Sequence, residues 1–171
     1  MLAYVYVIFA TILRLVPHPF SFTPVGASLL YFGARGPKKQ MWVPVAILAA
    51  SDLFLTLVFY RYAFTADHYF TWAWYAGAVL LGTLLRRNAS VPALAGASLA
   101  ASVSFFLVSN FAVWAVWPTY GHTLNGLWLC YAAGLPFFRN TVLSDLVFTA
   151  VMFGLPALAT AMRPARQTAI S

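Results

Sequence analysis

Apolar residues run along most of this chain in long blocks, interrupted by short groups of charged, proline or glycine residues. The blocks predict membrane crossings at Leu2–Val16, Phe20–Ala34, Met41–Tyr60, Tyr69–Leu85, Val91–Trp117 and Thr141–Met162. A helix needs about 20 residues to cross the hydrocarbon layer. The third and sixth blocks have that length and the fifth is long enough to tilt. The first two, at about 15 residues each, are expected to pack tightly inside the bundle. One further apolar stretch, Gly126–Phe138, is about 13 residues long and ends in Pro136. It is too short to cross and predicts a re-entrant or interfacial segment before the last helix, packed over the outer mouth.

Composition narrows the class. Of 171 residues, 63% are hydrophobic and 8% are charged, against roughly 45–50% and 25% in a soluble domain. Such a chain cannot cover a water-facing surface without large apolar patches, so the soluble, disordered and collagen-like classes are excluded. The expected fold is an all-α integral membrane bundle of six transmembrane helices, with residues 1–171 forming a single transmembrane domain. Six crossings use about 120 residues and leave enough chain for connections, whereas eight leave almost none.

Charge sets the orientation. The net charge of +7 comes from ten Lys and Arg against three Asp and Glu. Seven of the ten basic residues, Arg35, Lys38, Lys39, Arg86, Arg87, Arg163 and Arg166, follow the second, fourth and sixth blocks. That places both termini in the cytoplasm and the protein in the inner (cytoplasmic) membrane. Aromatic residues including Trp72, Trp74, Tyr60, Tyr62 and Tyr69 crowd the opposite boundary, as an interfacial belt does. The basic residues form no stripe able to follow a phosphate backbone, so no nucleic-acid partner is expected. The first block lacks a positive n-region, so no cleavable signal is expected. Cys130 is the only cysteine and says nothing about redox compartment. Asn88-Ala-Ser has the glycosylation pattern but falls on the cytoplasmic side. No internal repeat argues for a transporter built from two halves.

Ionisable and amide side chains at membrane depth cost several kcal/mol unless paired or hydrated, and they therefore point to function. Here they gather in the outer half. Asp52 lies about 12 Å inside the outer end of the third crossing and Asn110 about 10 Å inside the outer end of the fifth. Asp145 sits about one turn into the sixth crossing, after Arg139 and Asn140, and Arg14 approaches the outer end of the first crossing with His18 just beyond it. The inner half holds little beyond Ser and small residues. This pattern predicts a cavity open outward, walled by Arg14, His18, Asp52, Asn110, Arg139, Asn140 and Asp145, with Trp114, Trp117 and Trp128 as apolar surfaces.

Each residue also has a structural reading. Asp145 can favour a helix dipole with Asn140 as cap, and Asp52 with Arg14 can be a structural ion pair. His18, between two prolines, can be a loop residue, and Cys130 a small buried hydrophobe. Ala93, Ala97 and Ala101 give the fifth crossing a face that another helix can approach closely, and Gly96 with Ala100 gives a second. No metalloprotease, nucleophile-elbow or phosphate-loop motif is present, so neither an enzyme nor a cofactor or metal is expected. The leading expectation is a substrate-binding or transport protein for a small organic nutrient. The alternatives are a lipid-headgroup enzyme using Asp52 and Asp145 as acid and base, and a non-transporting membrane interaction subunit.

Several strings carry a resemblance: Arg14-Leu-Val-Pro-His-Pro with Phe22-Thr-Pro, Ser51-Asp52, Ser109-Asn110-Phe-Ala-Val-Trp114, and Cys130-Tyr followed by Pro136-Phe-Phe-Arg-Asn-Thr141 and Asp145-Leu. Over nearly the whole chain they resemble a family of small integral membrane proteins known as a domain of unknown function and labelled as transport proteins. More distantly, the layout is similar to the substrate-binding S components of energy-coupling-factor vitamin transporters. That resemblance implies six helices, cytoplasmic termini, capture of a vitamin-like nutrient near the outer face, and an ATP-driven energising module as partner. The four-residue alanine ladder expected on the first helix for docking that module is absent, since Ala3 and Ala10 stand seven apart. Were the vitamin a corrinoid, Cys130 and His18 would be the residues able to ligate its cobalt.

Overall fold

The computed structural model describes residues 1–16 and 22–162, which are all-helical with no strand. Six α-helices follow one another: α1 Leu2–Leu13, α2 Val25–Arg35, α3 Trp42–Leu53, α4 Asp67–Thr83, α5 Val91–Val116 and α6 Leu124–Ala161. Short 3₁₀ turns, Lys38–Gln40 and Leu84–Arg86, lead into α3 and end α4. Beyond Leu53 the third helix widens into a π-helical turn over Phe54–Phe59, marked by the Tyr60 amide reaching back to the Leu55 carbonyl at 2.8 Å.

The packing centres on α2. Every residue from Val25 to Ala34 is buried, and α1, α4, α5 and α6 pack around it. Small residues let the backbones meet there. A Cβ on Gly33 would lie 2.0 Å from the Val79 carbonyl oxygen, and one on Gly82 would lie 2.3 Å from that of Leu30. Only two glycines at this crossing permit α2 and α4 to touch. Buried Ser28, Ser98, Ser102, Ser144 and Thr149 continue the small, weakly polar interior, while Leu80, Val103, Leu107, Leu143 and Val151 face outward. Large apolar groups outside and small groups within suit a bundle surrounded by lipid.

Three continuous helical stretches are long and apolar enough to cross a membrane: Lys38–Phe59, Val91–Val116 and Leu124–Ala161. The other three expected crossings are shorter as helices. At 1.5 Å per residue, α1 and α2 are about 18 and 17 Å long and α4 about 26 Å, less than the hydrocarbon thickness of about 30 Å. For α2 the reason is local: its helix starts only after Pro24, and it lies inside the protein, where it needs no lipid-facing length.

The clearest departure from expectation is α6. The separate re-entrant segment at Gly126–Phe138 does not exist: it is continuous with Thr141–Ala161 in one 38-residue helix that contains Pro136 and Pro156. Proline and polar residues punctuate helices in water, but an apolar helix packed along a neighbour tolerates both. Here α6 runs antiparallel to α5 for most of its length, with Phe106 against Tyr131 and Phe138 and the Tyr131 hydroxyl donating to the Leu107 carbonyl at 2.8 Å. Asn140 is therefore mid-helix and does not stand at the start of the last helix. A helix about 57 Å long must tilt or project beyond the hydrocarbon layer.

Hydrogen bonds fix the two ends of the bundle. Tyr4 donates to Gln40, and Arg86 donates to the Gly36 carbonyl at 2.9 Å. These bonds join the start of α1, the end of α2 and the end of α4 at one end, together with Arg35, Lys38, Lys39 and Arg87. The C-terminus of α1, the N-terminus of α2, the π turn and the start of α4 lie at the other end.

Candidate functional site

At the end remote from the basic loops lies a cavity of about 520 Å³. Its base is the N-terminal end of α2, with Thr23, Val25 and Gly26 exposed to it. Its walls come from Arg14 after α1, from Asp52, Leu55 and Thr56 on α3 and the π turn, and from Thr71, Trp74 and Tyr75 on α4. Phe105 on α5 and Thr141 and Asp145 on α6 complete them, while Trp117 and the segment from Tyr60 to His68 line the mouth.

Arg14 and Asp52 form the charged wall. The guanidinium pairs with the Asp52 carboxylate and donates to the Ser51 hydroxyl at 2.9 Å and, more weakly, to the Tyr75 hydroxyl at 3.4 Å. Asp52 also accepts from the Trp72 indole N–H at 3.0 Å and from the Tyr75 hydroxyl at 3.3 Å. Their side chains are 18% and 8% exposed. A carboxylate so enclosed needs a cation and further donors; Arg14 after α1 supplies the cation, and Trp72 and Tyr75 on α4 supply the donors.

Asp145 occupies a different environment. It accepts from the Ser102 hydroxyl at 2.7 Å and from the Ala27 backbone N–H. α2 has no capping side chain of its own, since Pro24 precedes it; Asp145 supplies that cap from another helix. Gly26 makes the approach possible, because a Cβ there would lie 2.4 Å from the carboxylate. The dipole that Asp145 meets is thus that of α2, not of its own helix. The neighbouring Ser144 hydroxyl donates to the Thr23 carbonyl at 2.6 Å and clamps the approach to α2 against α6. Ser102 stands roughly 17 Å from one end of α5 and 21 Å from the other, so the base of the cavity lies near mid-bundle.

The mouth carries a third carboxylate. Asp67 opens α4 and accepts from the Thr65 hydroxyl, with the His68 ring 3.6 Å away. The two His68 ring nitrogens contact the Thr56 hydroxyl at 2.9 Å and the Thr65 carbonyl at 3.0 Å, tying the π turn to the start of α4. Between them the chain turns through Arg61, whose φ of 55° is the one positive value among the described residues. π turns recur at functional sites because they re-aim side chains from an otherwise regular helix. This one aims Leu55 and Thr56 into the cavity.

Of the residues expected to form a site, Arg14, Asp52 and Asp145 are brought together, along with Trp117. Asn110, Trp114, Cys130, Arg139 and Asn140 do not line the cavity. The Asn110 side chain donates to the Phe106 carbonyl at 2.8 Å and lies against Gly134, where a Cβ would sit 2.4 Å from its oxygen. The Cys130 thiol is buried and donates to the Asn110 carbonyl at 3.3 Å. Both serve the seam between α5 and α6. The Trp114 indole donates to the Gly121 carbonyl at 3.2 Å, Arg139 and Trp128 are exposed, and Asn140 is half-buried on α6. His18 falls outside the described residues.

Sequence reasoning passed over Tyr75, Trp72, Thr71, Thr56, Asp67 and His68. A signal was available on α4: Asp67, Thr71 and Trp74 or Tyr75 recur at the three- and four-residue spacing of one helix face. Reading the aromatics only as an interfacial belt hid it.

No curated protein and no solved structure matches the chain, so the likeness to vitamin-transporter S components finds no counterpart there. The model of a family of unknown function, DUF6580, matches residues 1–167. Since that match spans nearly the full length, the chain belongs to the family of unknown function DUF6580.

Proposed function

We propose that this protein is a solute-binding or transport protein of the inner (cytoplasmic) membrane that takes a small organic nutrient into the cavity from the outer side. The observation that carries the reading is the cavity itself. At about 520 Å³ it falls within the 300–1,000 Å³ typical of small-molecule sites. It combines an aromatic and aliphatic wall with a few placed polar groups and lies at the end opposite Arg35, Lys38, Lys39, Arg86 and Arg87. Basic loops face the cytoplasm, so in this reading that end is the outer one, with the start of α1 and the end of α6 toward the cytoplasm.

The distant likeness to S components supports the same reading, with the protein capturing a nutrient and reorienting. Their energising module is not needed by it. Here α1 buries Ala3 and Ala10 in the core and turns Val5, Ile8, Phe9 and Ile12 outward, so its alanines offer no exposed ladder for docking such a module. The cavity rather than the Cys130 thiol is the ligand surface in this reading, so a corrinoid gains no support from that residue. Binding is also favoured over lipid-headgroup catalysis, because Asp52 is held by Arg14 and Asp145 by Ser102 and the end of α2.

The test is native mass spectrometry of the gently purified full chain. A retained small molecule is expected in the wild type, with occupancy reduced at least about tenfold by Thr71→Trp, which fills the cavity. Retention of the same molecule by Thr71→Trp, with loss in a variant of the lipid-facing Leu107, would contradict the assignment.

A further inference from the structure

The charges of this chain are distributed unevenly in a way that bears on the ligand. The sequence holds three acidic residues in all, and all three, Asp52, Asp67 and Asp145, line this same cavity. Of the described Lys and Arg residues, Arg14 alone does so. Arg14 is also spent, since its guanidinium is turned to Asp52, Ser51 and Tyr75. A protein of net charge +7 thus encloses a cavity whose own balance is negative. Asp52 is neutralised by Arg14, while Asp67 has the Thr65 hydroxyl and the His68 ring at 3.6 Å, Asp145 has the Ser102 hydroxyl and the Ala27 amide, and neither has a Lys or Arg partner among the described residues.

The remaining lining fits the same sign of ligand. Tyr60 and Tyr62 lie near-parallel at the mouth, with ring centroids 6.0 Å apart and planes 14° from parallel, and Trp117 faces the same opening. Aromatic faces attract cations through their quadrupole, more strongly where water is partly excluded. An anionic solute finds the opposite: the one guanidinium is engaged, and the Asp67 carboxylate at the mouth would repel it. A bare metal ion does not suit the site either. No group of three or more His, Cys, Asp or Glu at metal-binding distance occurs among the described residues, and the carboxylates stand on separate walls of a cavity far larger than an ion.

We infer that the solute is an organic cation, an amine or quaternary ammonium carried on an apolar body. Its charge is held at the mouth by Asp67, beside Tyr60 and Tyr62, and its body by the aromatic wall. The inference rests on the cavity being the solute site.

Three probes of matched shape separate the two claims: phenethylamine, phenylethanol and phenylacetate, each radiolabelled and bound to the full chain in lipid nanodiscs at neutral pH. Phenethylamine is expected to bind at least about tenfold more tightly than phenylethanol, and phenylacetate most weakly. Asp67→Asn is expected to cut that preference about threefold or more, and Thr71→Trp to abolish binding. Thr71→Trp-sensitive binding that favours phenylethanol or phenylacetate overturns the charge assignment while leaving the cavity as a solute site. If no probe shows Thr71→Trp-sensitive binding, the charge assignment and the solute site fall together. The comparison among probes is made on the wild type, so the outcome does not depend on the Asp67 variant folding.

Discussion

Asp52→Ala is expected to destabilise the protein by about 3–5 kcal/mol, the cost of leaving a buried guanidinium without its counter-ion. Arg14 is mostly enclosed, and Ser51 and Tyr75 offer it only neutral oxygens. Trp72 and Tyr75 would lose their shared acceptor at the same time. Arg14→Met is expected to cost less, because Asp52 keeps the Trp72 and Tyr75 donors. The double variant Arg14→Met with Asp52→Leu should recover most of the loss, since two apolar groups leave no orphaned charge. The midpoint of thermal unfolding in a mild detergent orders the three. If Asp52→Ala unfolds within about 0.5 kcal/mol of the wild type, the pair is a solvated surface contact and this wall has been misassigned.

Gly33→Val is expected to be as severe for a different reason. A Cβ at position 33 would lie 2.0 Å from the Val79 carbonyl oxygen and 2.9 Å from the Gly82 Cα. Both are backbone atoms, so no side chain can swing away. The helices must separate by about 1 Å or more, at a cost at or above the usual 1–3 kcal/mol for overpacking. The consequence reaches the site, because α2 carries the cavity base, and moving it breaks the register between Ala27 and Asp145. Gly77→Ala is the matched control: nothing lies within 4 Å of its Cβ position, and Ala is the better helix former by up to about 1 kcal/mol. Equal thermal midpoints for Gly33→Val and Gly77→Ala would show that the close α2–α4 crossing is not formed.

How much was legible in the sequence follows from which physical signals survive in an apolar chain. The cost of a charge at membrane depth is visible from composition alone, and it singled out Arg14, Asp52 and Asp145, all of which line the cavity. Depth says nothing about azimuth. Asn110 and Cys130 lie on the faces of α5 and α6 that meet each other, and helices apolar on every side give no stripe from which to read the direction. The break expected before the last crossing rested on the shortness of Gly126–Phe138 and on Pro136, a residue that ends most helices in water. Packed along α5, Pro136 sits inside α6 instead. The dipole reading of Asp145 named the right interaction but the wrong helix, because only tertiary structure brings the uncapped start of α2 to that carboxylate.

Solvent access from the outer side is the property on which the functional reading depends, and site-directed labelling measures it directly. In a Cys130→Ala background, Thr71→Cys is placed on the cavity wall and Lys39→Cys in the basic turn, and intact cells are treated with a membrane-impermeant maleimide. The expected result is modification of Thr71→Cys without permeabilisation and of Lys39→Cys only after it. Labelling of Thr71→Cys solely after permeabilisation, with Lys39→Cys reacting in intact cells, would mean that the cavity opens to the cytoplasm and would contradict the outward-facing solute site.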